Sequence, residues 1–318
     1  MRQRQIQTFS TSGTEQEALT ELLLGKPYVC FIEDGQYIDW NTLSPVPPTP
    51  PGPTPYSAQN LTFDVKSAGT ITWKMTNKTS PKTIQYKLND GEWTNITSTT
   101  GTGAVINVEA GDKVQFRGDN SAYATKNNES GVFSINYFGS TAKFNIYGNI
   151  KSLVDSTGFT GTTGISNSAF AYLFTGNTGL VSASNLILPD MVLSNDCYYG
   201  MFNNCENLTG APALPATTLA QNCYSFMFRG CVKLRRAPVL PAADVPLMAY
   251  SNMFYYCERL NYIKCLATAL HTSGEQKSTW GWTGLVADTG TFVKAAGMND
   301  WTTGTDGIPT GWTVQDAE

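Results

Sequence analysis

Apolar residues in the C-terminal half of the chain recur at a fixed interval of 26 residues. The pattern Met-Phe-x-x-Cys-x-x-Leu begins at Met201, Met227 and Met253, and Leu-Pro pairs follow at Leu214 and Leu240. This period is typical of stacked repeats, because one unit cannot bury its apolar side alone. The pattern predicts a repeat solenoid over residues 141–265, with a cap at its N-terminal end.

Residues 56–140 show a different periodicity, in which apolar and polar residues alternate. The alternation is clear in Leu61–Val65 and Ile71–Met75, and turn signals return about every 8–12 residues, as in immunoglobulin-like β-sandwiches. The prediction for this segment is therefore an immunoglobulin-like sandwich. Residues 266–318 carry tryptophans among glycines and threonines, which predicts a C-terminal cap.

The N-terminal segment, residues 1–44, is followed by a proline-rich stretch, residues 45–55, that predicts an extended spacer. Residues 15–24 predict a helix, and two strands flank Asp34-Gly35. So small a module has too little core to be stable alone. We expect an α+β anchoring or oligomerisation module, the alternative being a small domain that packs against its own chain. The candidate anchor residues are Tyr28, Phe31, Tyr37 and Trp40.

Composition limits the function classes. The net charge is -4 and only 14% of residues are charged, so no general affinity for nucleic acid is expected. No stretch reaches the roughly 18 apolar residues of a membrane span, so membrane insertion is not expected either. The N-terminal stretch lacks the apolar run of a signal peptide, which argues against export by the general secretory route.

Candidate catalytic and metal-binding residues are scarce. The single histidine, His271, has no partner at triad spacing, so no catalytic residue is predicted and an enzyme is not expected. Six of the seven cysteines form pairs eight residues apart, which is not the spacing of a zinc site. We expect no metal and no cofactor. The cysteines are interpreted as buried free thiols, with disulfides as the alternative.

Aromatic and cationic side chains recur beside the repeat landmarks. Ring faces on a repeat surface can stack against sugars, and clustered cations suit an acidic partner. The alternatives are that the rings belong to the core and that the cations form a solvated face. The candidate ligand surface comprises Tyr198, Tyr199, Tyr224, Tyr255, Tyr256, Arg229, Arg235, Arg236 and Arg259.

Three resemblances extend these predictions. The repeat core Phe202-x-x-Cys205-x-x-Leu208 resembles leucine-rich repeats of bacterial surface proteins, although Ala-Pro-x-Leu-Pro replaces the usual strand. Segment 26–40 resembles the N-terminus of virion appendage proteins of Bacteroidales phages, crAss-like ones included. Segment 290–312 is similar to the ends of repeat proteins encoded by gut Bacteroidales and their phages. Together they imply a multidomain, mainly β protein: a small N-terminal α+β anchor, an immunoglobulin-like β-sandwich and a C-terminal leucine-rich-repeat solenoid.

The function implied by the resemblance is that of a head or tail fibre on the virion surface, assembled in the host cytoplasm. Residues 1–44 would attach it to capsid or tail proteins, and the repeats would bind a host surface protein or polysaccharide. Fibres are symmetric, so a homo-oligomer is expected, with a trimer favoured over a dimer. The alternatives are a bacterial cell-surface leucine-rich-repeat adhesin and a glycan hydrolase with paired carboxylates.

Overall fold

Three short strands precede the main folded unit. In this computed structural model, the described residues are 56–318 apart from 78, 128, 162–163 and 272–276, together with the backbone of the three short strands. The three strands pair antiparallel in the order β1-β2-β3. The predicted helix over 15–24 lies outside the described residues, and an α+β anchor is not seen. The strands are β1 (Val29–Phe31), β2 (Tyr37–Asp39) and β3 (Ser44–Val46).

Residues 56–318 form a second unit that begins with two facing sheets. One has the order β10-β11-β5-β8 and the other β13-β12-β4-β9-β6-β7. A short 3₁₀ helix, Ile150–Leu153, follows β12. The strands are β4 (Leu61–Val65), β5 (Gly69–Met75), β6 (Thr83–Leu88), β7 (Thr94–Thr97), β8 (Ala104–Val108), β9 (Lys113–Arg117), β10 (Ala124–Lys126), β11 (Phe133–Ser140), β12 (Phe144–Asn149) and β13 (Leu180–Ile187).

The pairing of these strands corrects the immunoglobulin-like prediction. In that plan the first two strands share a sheet, whereas β4 pairs with β9 and β12 and lies opposite β5. Strand β12 also pairs in parallel with β13, which belongs to the first repeat. The six-stranded sheet therefore continues from the sandwich into the repeats. The start of the predicted N-terminal cap therefore contains a strand, Phe144–Asn149, of this sheet.

Each repeat contributes a series of consecutive turns, which we call a turn run. Within a run, every second N–H donates to the carbonyl three residues earlier, as Met227 does to Tyr224 at 3.2 Å. The intervening N–H groups donate to the next run: Phe202 bonds Met227, and Phe228 bonds Met253, both at 2.9 Å. The turn runs cover 168–177, 194–205, 220–231, 246–257 and 278–285, and together they form the repeat stack.

This architecture overturns the leucine-rich-repeat solenoid prediction. The described residues contain no helix of seven or more residues and no closed solenoid. The strand side of the second and third repeats makes only isolated bridges, because Pro212, Pro215, Pro238 and Pro241 lack an N–H for a ladder. The following repeat has no proline at the equivalent positions and forms a strand there, Tyr262–Cys265. The remaining strands, all paired in parallel, are β14 (Asp244–Val245), β15 (Tyr262–Cys265), β16 (Ala269–Leu270), β17 (Thr291–Lys294) and β18 (Thr313–Asp316).

Two columns of buried aromatic rings, the inner ring columns, run through the repeat stack. Neighbouring centroids are 5.5–5.8 Å apart in the first column and 5.9–6.3 Å apart in the second. Both end on Trp282, whose Nε1–H donates to the Gly307 carbonyl. Sandwich, repeat stack and C-terminal segment therefore share one core. The columns are Phe138, Phe174, Phe202, Phe228 and Phe254, and Phe170, Tyr198, Tyr224 and Tyr250.

Cysteine thiols link successive turn runs beside the first column. The Sγ–H groups of Cys205, Cys231 and Cys257 donate to phenylalanine carbonyls of the preceding run at 3.0, 3.2 and 3.0 Å. All described cysteines are buried and free. The recurring cysteine is therefore both a small apolar side chain and a donor to a carbonyl.

A buried ion pair joins the 3₁₀ helix to the segment after β13. Lys151 Nζ lies 2.6 Å from Asp190 Oδ1, and the two side chains are only 3% and 5% exposed. Burial raises the pKa of Asp190, and the hydrogen bond from Lys151 opposes that rise. Removing one partner of such a pair is costly because the remaining charge stays buried. The pair therefore fixes the start of the repeat stack against the sandwich.

The turn runs depend on left-handed backbone at every fourth residue, such as Tyr172 (φ 59) and Gly176 (φ 65). No atom lies within 4 Å of a Cβ built on Gly176, so Gly176→Ala tests the backbone alone. We expect the substitution to lower the free energy of unfolding by about 1 kcal/mol in urea titrations. Gly161→Ala is the control, because Gly161 lacks a left-handed φ and its Cβ would lie 3.7 Å from the nearest atom. Equal effects of both substitutions would contradict this account.

Candidate ligand-binding surface

Some side chains of a turn run enter the core and others face outward, and this separates the predicted ligand residues. Tyr198 and Tyr224 belong to an inner ring column and are 1% and 2% exposed, so no ligand reaches them. Tyr199 and Tyr255 are half-buried, and Tyr256 is exposed. Arg229 is half-buried, whereas Arg235, Arg236 and Arg259 are exposed.

The outward aromatic side chains form two groups that Arg229 links, and we call them together the aromatic strip. Tyr199 lies at its centre, with centroid distances of 4.8 Å to Phe133, 5.3 Å to Tyr172 and 5.2 Å to Phe226. Because Phe133 belongs to β11, the strip begins on the sandwich and continues along the repeat stack. Its members are Phe133, Tyr172, Tyr199, Phe226, Tyr255 and Tyr256.

Glycines in the following turn run make room for two of these rings. A Cβ on Gly200 would lie 2.5 Å from Tyr172 Cε1, and a Cβ on Gly284 would lie 2.5 Å from Tyr255 Cδ2. Any larger residue at these positions would push the ring away from the backbone. The rings are thus held in place before a ligand arrives, which reduces the entropy lost on binding.

Two cations accompany the aromatic strip. Lys126 Nζ lies 5.4 Å and 5.7 Å from the Phe133 and Tyr199 ring centroids. It also forms a 2.7 Å ion pair with Asp196 Oδ1. Arg229 Cζ lies 5.6 Å from the centroids of both Phe226 and Tyr255. Both contacts are within the range of cation–π attraction.

The hydroxyls of Tyr172 and Tyr199 stay protonated at neutral pH. Burial raises the pKa of Tyr172 and of Tyr199. The positive charge of Arg229 lowers both pKa values without cancelling the rise. The strip therefore offers ring faces together with neutral hydroxyls that donate and accept hydrogen bonds.

The other predicted cations lie in the segments that follow the turn runs, where they form a basic patch of Arg235, Arg236, Arg259 and Lys264. Arg236 Cζ lies 3.8 Å from the Tyr262 ring centroid, and the backbones of Arg236 and Tyr262 form an isolated parallel β-bridge. Sequence reasoning placed these cations and the tyrosines on one surface. The structure assigns them to different segments of each repeat.

The sequence-based prediction left out Phe133, Tyr172 and Phe226. Tyr172 and Phe226 occupy the same place in the four-residue period, since both adopt a left-handed φ of 59°, and the sequence alone does not reveal that period. Phe133 carries no repeat signal, because its place beside Tyr199 depends on the packing of β11 against the repeat stack. For the anchor residues, Phe31 and Tyr37 are register partners in β1 and β2. Tyr28 and Trp40 lie outside the described residues.

The part of the chain that the structure describes holds no group of three or more histidine, cysteine or acidic residues able to bind a metal ion. Its helices include none long and apolar enough to cross a membrane. His271 is exposed, and its backbone N–H donates to Ser278 Oγ at 2.8 Å.

No family model, curated protein or solved structure matches this chain. The resemblance to phage appendage proteins therefore remains an expectation. Among the described residues, the aromatic strip is an extended set of partly exposed rings.

The buried tyrosines and thiols make stability sensitive to alkaline pH. Burial raises the pKa of Cys205, Cys223 and Cys265 from an ordinary 9.0 to about 12. Burial also raises that of Tyr198 and Tyr224 well above 10.0. Above pH 9 the unfolded chain releases these protons while the folded chain retains them, so the free energy of unfolding decreases.

We expect these groups to have no effect on the melting temperature below pH 9. As the pH rises from 9 towards 12, the melting temperature should fall progressively. Circular dichroism melting curves between pH 7 and 11 measure this. The buried thiols should also resist a thiol reagent in buffer and react at once in urea. A melting temperature that does not change up to pH 11, or rapid labelling of the folded protein, would contradict the assignment.

Proposed function

We propose that this protein is a non-enzymatic adhesion protein of the fibre type, carried on a bacteriophage virion. In this proposal residues 1–44 attach the chain to capsid or tail proteins, and residues 56–318 bind carbohydrate on the host surface. The proposal for the virion rests on the resemblance of residues 26–40 and on the proline-rich stretch, residues 45–55, that follows the N-terminal segment. The proposal for carbohydrate rests on the aromatic strip.

The observation that carries the carbohydrate proposal is the ordered series of ring faces on successive turn runs. Sugar rings present apolar C–H faces that pack on aromatic faces, while their hydroxyls bond to polar atoms at the ring edges. Tyr172 and Tyr199 supply such hydroxyls beside their rings. Successive turn runs are hydrogen-bonded neighbours, and ring centroids of the strip lie 5.3 Å apart from Tyr172 to Tyr199 and 5.2 Å apart from Tyr199 to Phe226. A polysaccharide chain, which also advances one ring at a time, fits such a surface.

The strip predicts a specific effect of truncating its rings. Affinity electrophoresis of the full chain through gels containing dextran, mannan, xylan, hyaluronate or polygalacturonate should show retardation by at least one polymer. Tyr199→Ala and Tyr255→Ala should each weaken that binding about tenfold, or about 1.4 kcal/mol, because each removes one stacked ring.

The matched control is Tyr147→Ala, since Tyr147 is half-buried and packs on Tyr56 in the sandwich at 4.9 Å. Its affinity should equal that of the unsubstituted protein. Absence of retardation by every polymer would refute carbohydrate binding by the strip. Equal losses in all three variants would show that the effect is one of general stability.

The virion location has a separate test. Antibody raised against residues 56–318 should label purified particles of the phage whose genome encodes this chain. Labelling should disappear from particles that carry a deletion of residues 1–44, because the proposal assigns attachment to that segment. Particles that contain no trace of the chain would contradict the proposal, even if the purified protein binds carbohydrate.

A further inference from the structure

We infer that the aromatic strip selects an acidic polysaccharide and that Arg229 binds the carboxylate of one of its sugars. This inference rests on the proposed carbohydrate-binding function and names the ligand class. It follows from the placement of Arg229 between two rings, from the balance of charge along the strip and from the residues at equivalent positions of the other turn runs.

Two hydrogen bonds hold the backbone of Arg229 in its turn run, between Phe226 and Tyr255 of the strip. Its N–H donates to the Phe226 carbonyl at 3.1 Å, and its carbonyl accepts from the Asn204 N–H at 2.7 Å. The guanidinium lies equally far, 5.6 Å, from the Phe226 and Tyr255 ring centroids. A sugar stacked on either ring would therefore bring its substituents close to the guanidinium.

The charge of Arg229 is available to a ligand. Every ion pair between described residues uses a lysine, and no described arginine takes part in one. The other cation of the strip, Lys126, is already balanced by Asp196 at 2.7 Å. Arg229 is thus the strip's cation without a carboxylate partner among the described side chains. It lies in a chain whose net charge is -4.

A carboxylate is the group that this environment fits. The guanidinium presents paired N–H donors in a planar fork that matches the two oxygens of a carboxylate. Rings on either side exclude water from part of the site, which strengthens a charge-assisted hydrogen bond. A neutral sugar at this position would leave the fork facing hydroxyl groups, which are weaker acceptors.

The equivalent positions in neighbouring repeats limit how often the acidic sugar recurs. Counting 26 residues back and forward from Arg229 leads to Asn203 and Tyr255, neither of which is charged. One cation flanked by neutral positions suits an acidic sugar flanked by neutral sugars. A polymer with a negative charge on every sugar would place its other charges against neutral rings.

The experiment compares each acidic polymer with its own carboxyl-reduced form, which keeps the backbone and loses the charge. Hyaluronate, in which acidic and neutral sugars alternate, polygalacturonate and polysialic acid are the probes, with the full chain and affinity electrophoresis. We expect at least one acidic polymer to bind, and its reduction to weaken binding at least tenfold. Arg229→Gln should weaken binding of the acidic form by a similar factor and leave binding of the reduced form unchanged.

Three variants make the comparison specific. Arg117→Gln is the matched control, because Arg117 also lies over a ring, Trp93, at 4.1 Å, and it belongs to the sandwich. Its affinity should not change. Arg229→Lys keeps the charge and should recover part of the affinity lost in Arg229→Gln. Tyr199→Ala should weaken binding of the acidic and reduced forms alike.

The outcomes separate this inference from the function on which it rests. Equal binding of acidic and reduced polymers, weakened by Tyr199→Ala, would overturn the role of Arg229 and leave carbohydrate binding standing. Loss of affinity in Arg236→Gln instead of Arg229→Gln would also overturn it, and would assign the anion to the basic patch. If neither form of any polymer binds, and neutral dextran, mannan and xylan do not bind either, both proposals fail.

Discussion

The inner ring columns are the interaction on which the rest of this structure depends. A turn run has no helix or long strand to stiffen it, and its own hydrogen bonds satisfy only every second N–H. The remaining N–H groups reach a partner only if the next run lies directly above. Stacked rings at 5.5–5.8 Å hold the runs at the separation that those hydrogen bonds need. Ring stacking and backbone hydrogen bonding between successive runs therefore require the same separation, and each repeat meets both requirements together.

The outward rings come from more than one position of the turn run. Tyr198 stacks in the core because Phe170 and Tyr224 lie in line with it, and Tyr199 then faces outward beside Tyr172. Phe226 joins the row from a different position, two residues after the inner Tyr224. Tyr172 and Phe226 adopt a left-handed φ that aromatic residues rarely take. Strain of that kind persists where the surrounding packing determines the conformation, and it often coincides with binding surfaces.

Part of this arrangement could be predicted from the sequence. The 26-residue interval identifies Phe202, Phe228 and Phe254 as equivalent, and they stack on one another. Alternation in Leu61–Val65 coincides with β4. The interval does not reveal what backbone lies between the landmarks, because Phe and Cys at this spacing suit a helix as well as a turn run. Residues that tolerate a left-handed φ, such as Asn204 and Gly230, favour the turn run over a helix. Their spacing points to a turn run only once the period of four is known.

The junction between sandwich and repeats was beyond prediction for a different reason. Strand β12 pairs with β13 across more than thirty intervening residues, and Phe133 contacts Tyr199, which lies 66 positions later in the sequence. Such contacts depend on tertiary packing, on which no local pattern reports. They matter for function because they fix the first ring of the aromatic strip to the sandwich. A ligand lying along the strip would then contact two parts of one continuous core, so its binding cannot loosen one part from the other without breaking the shared sheet.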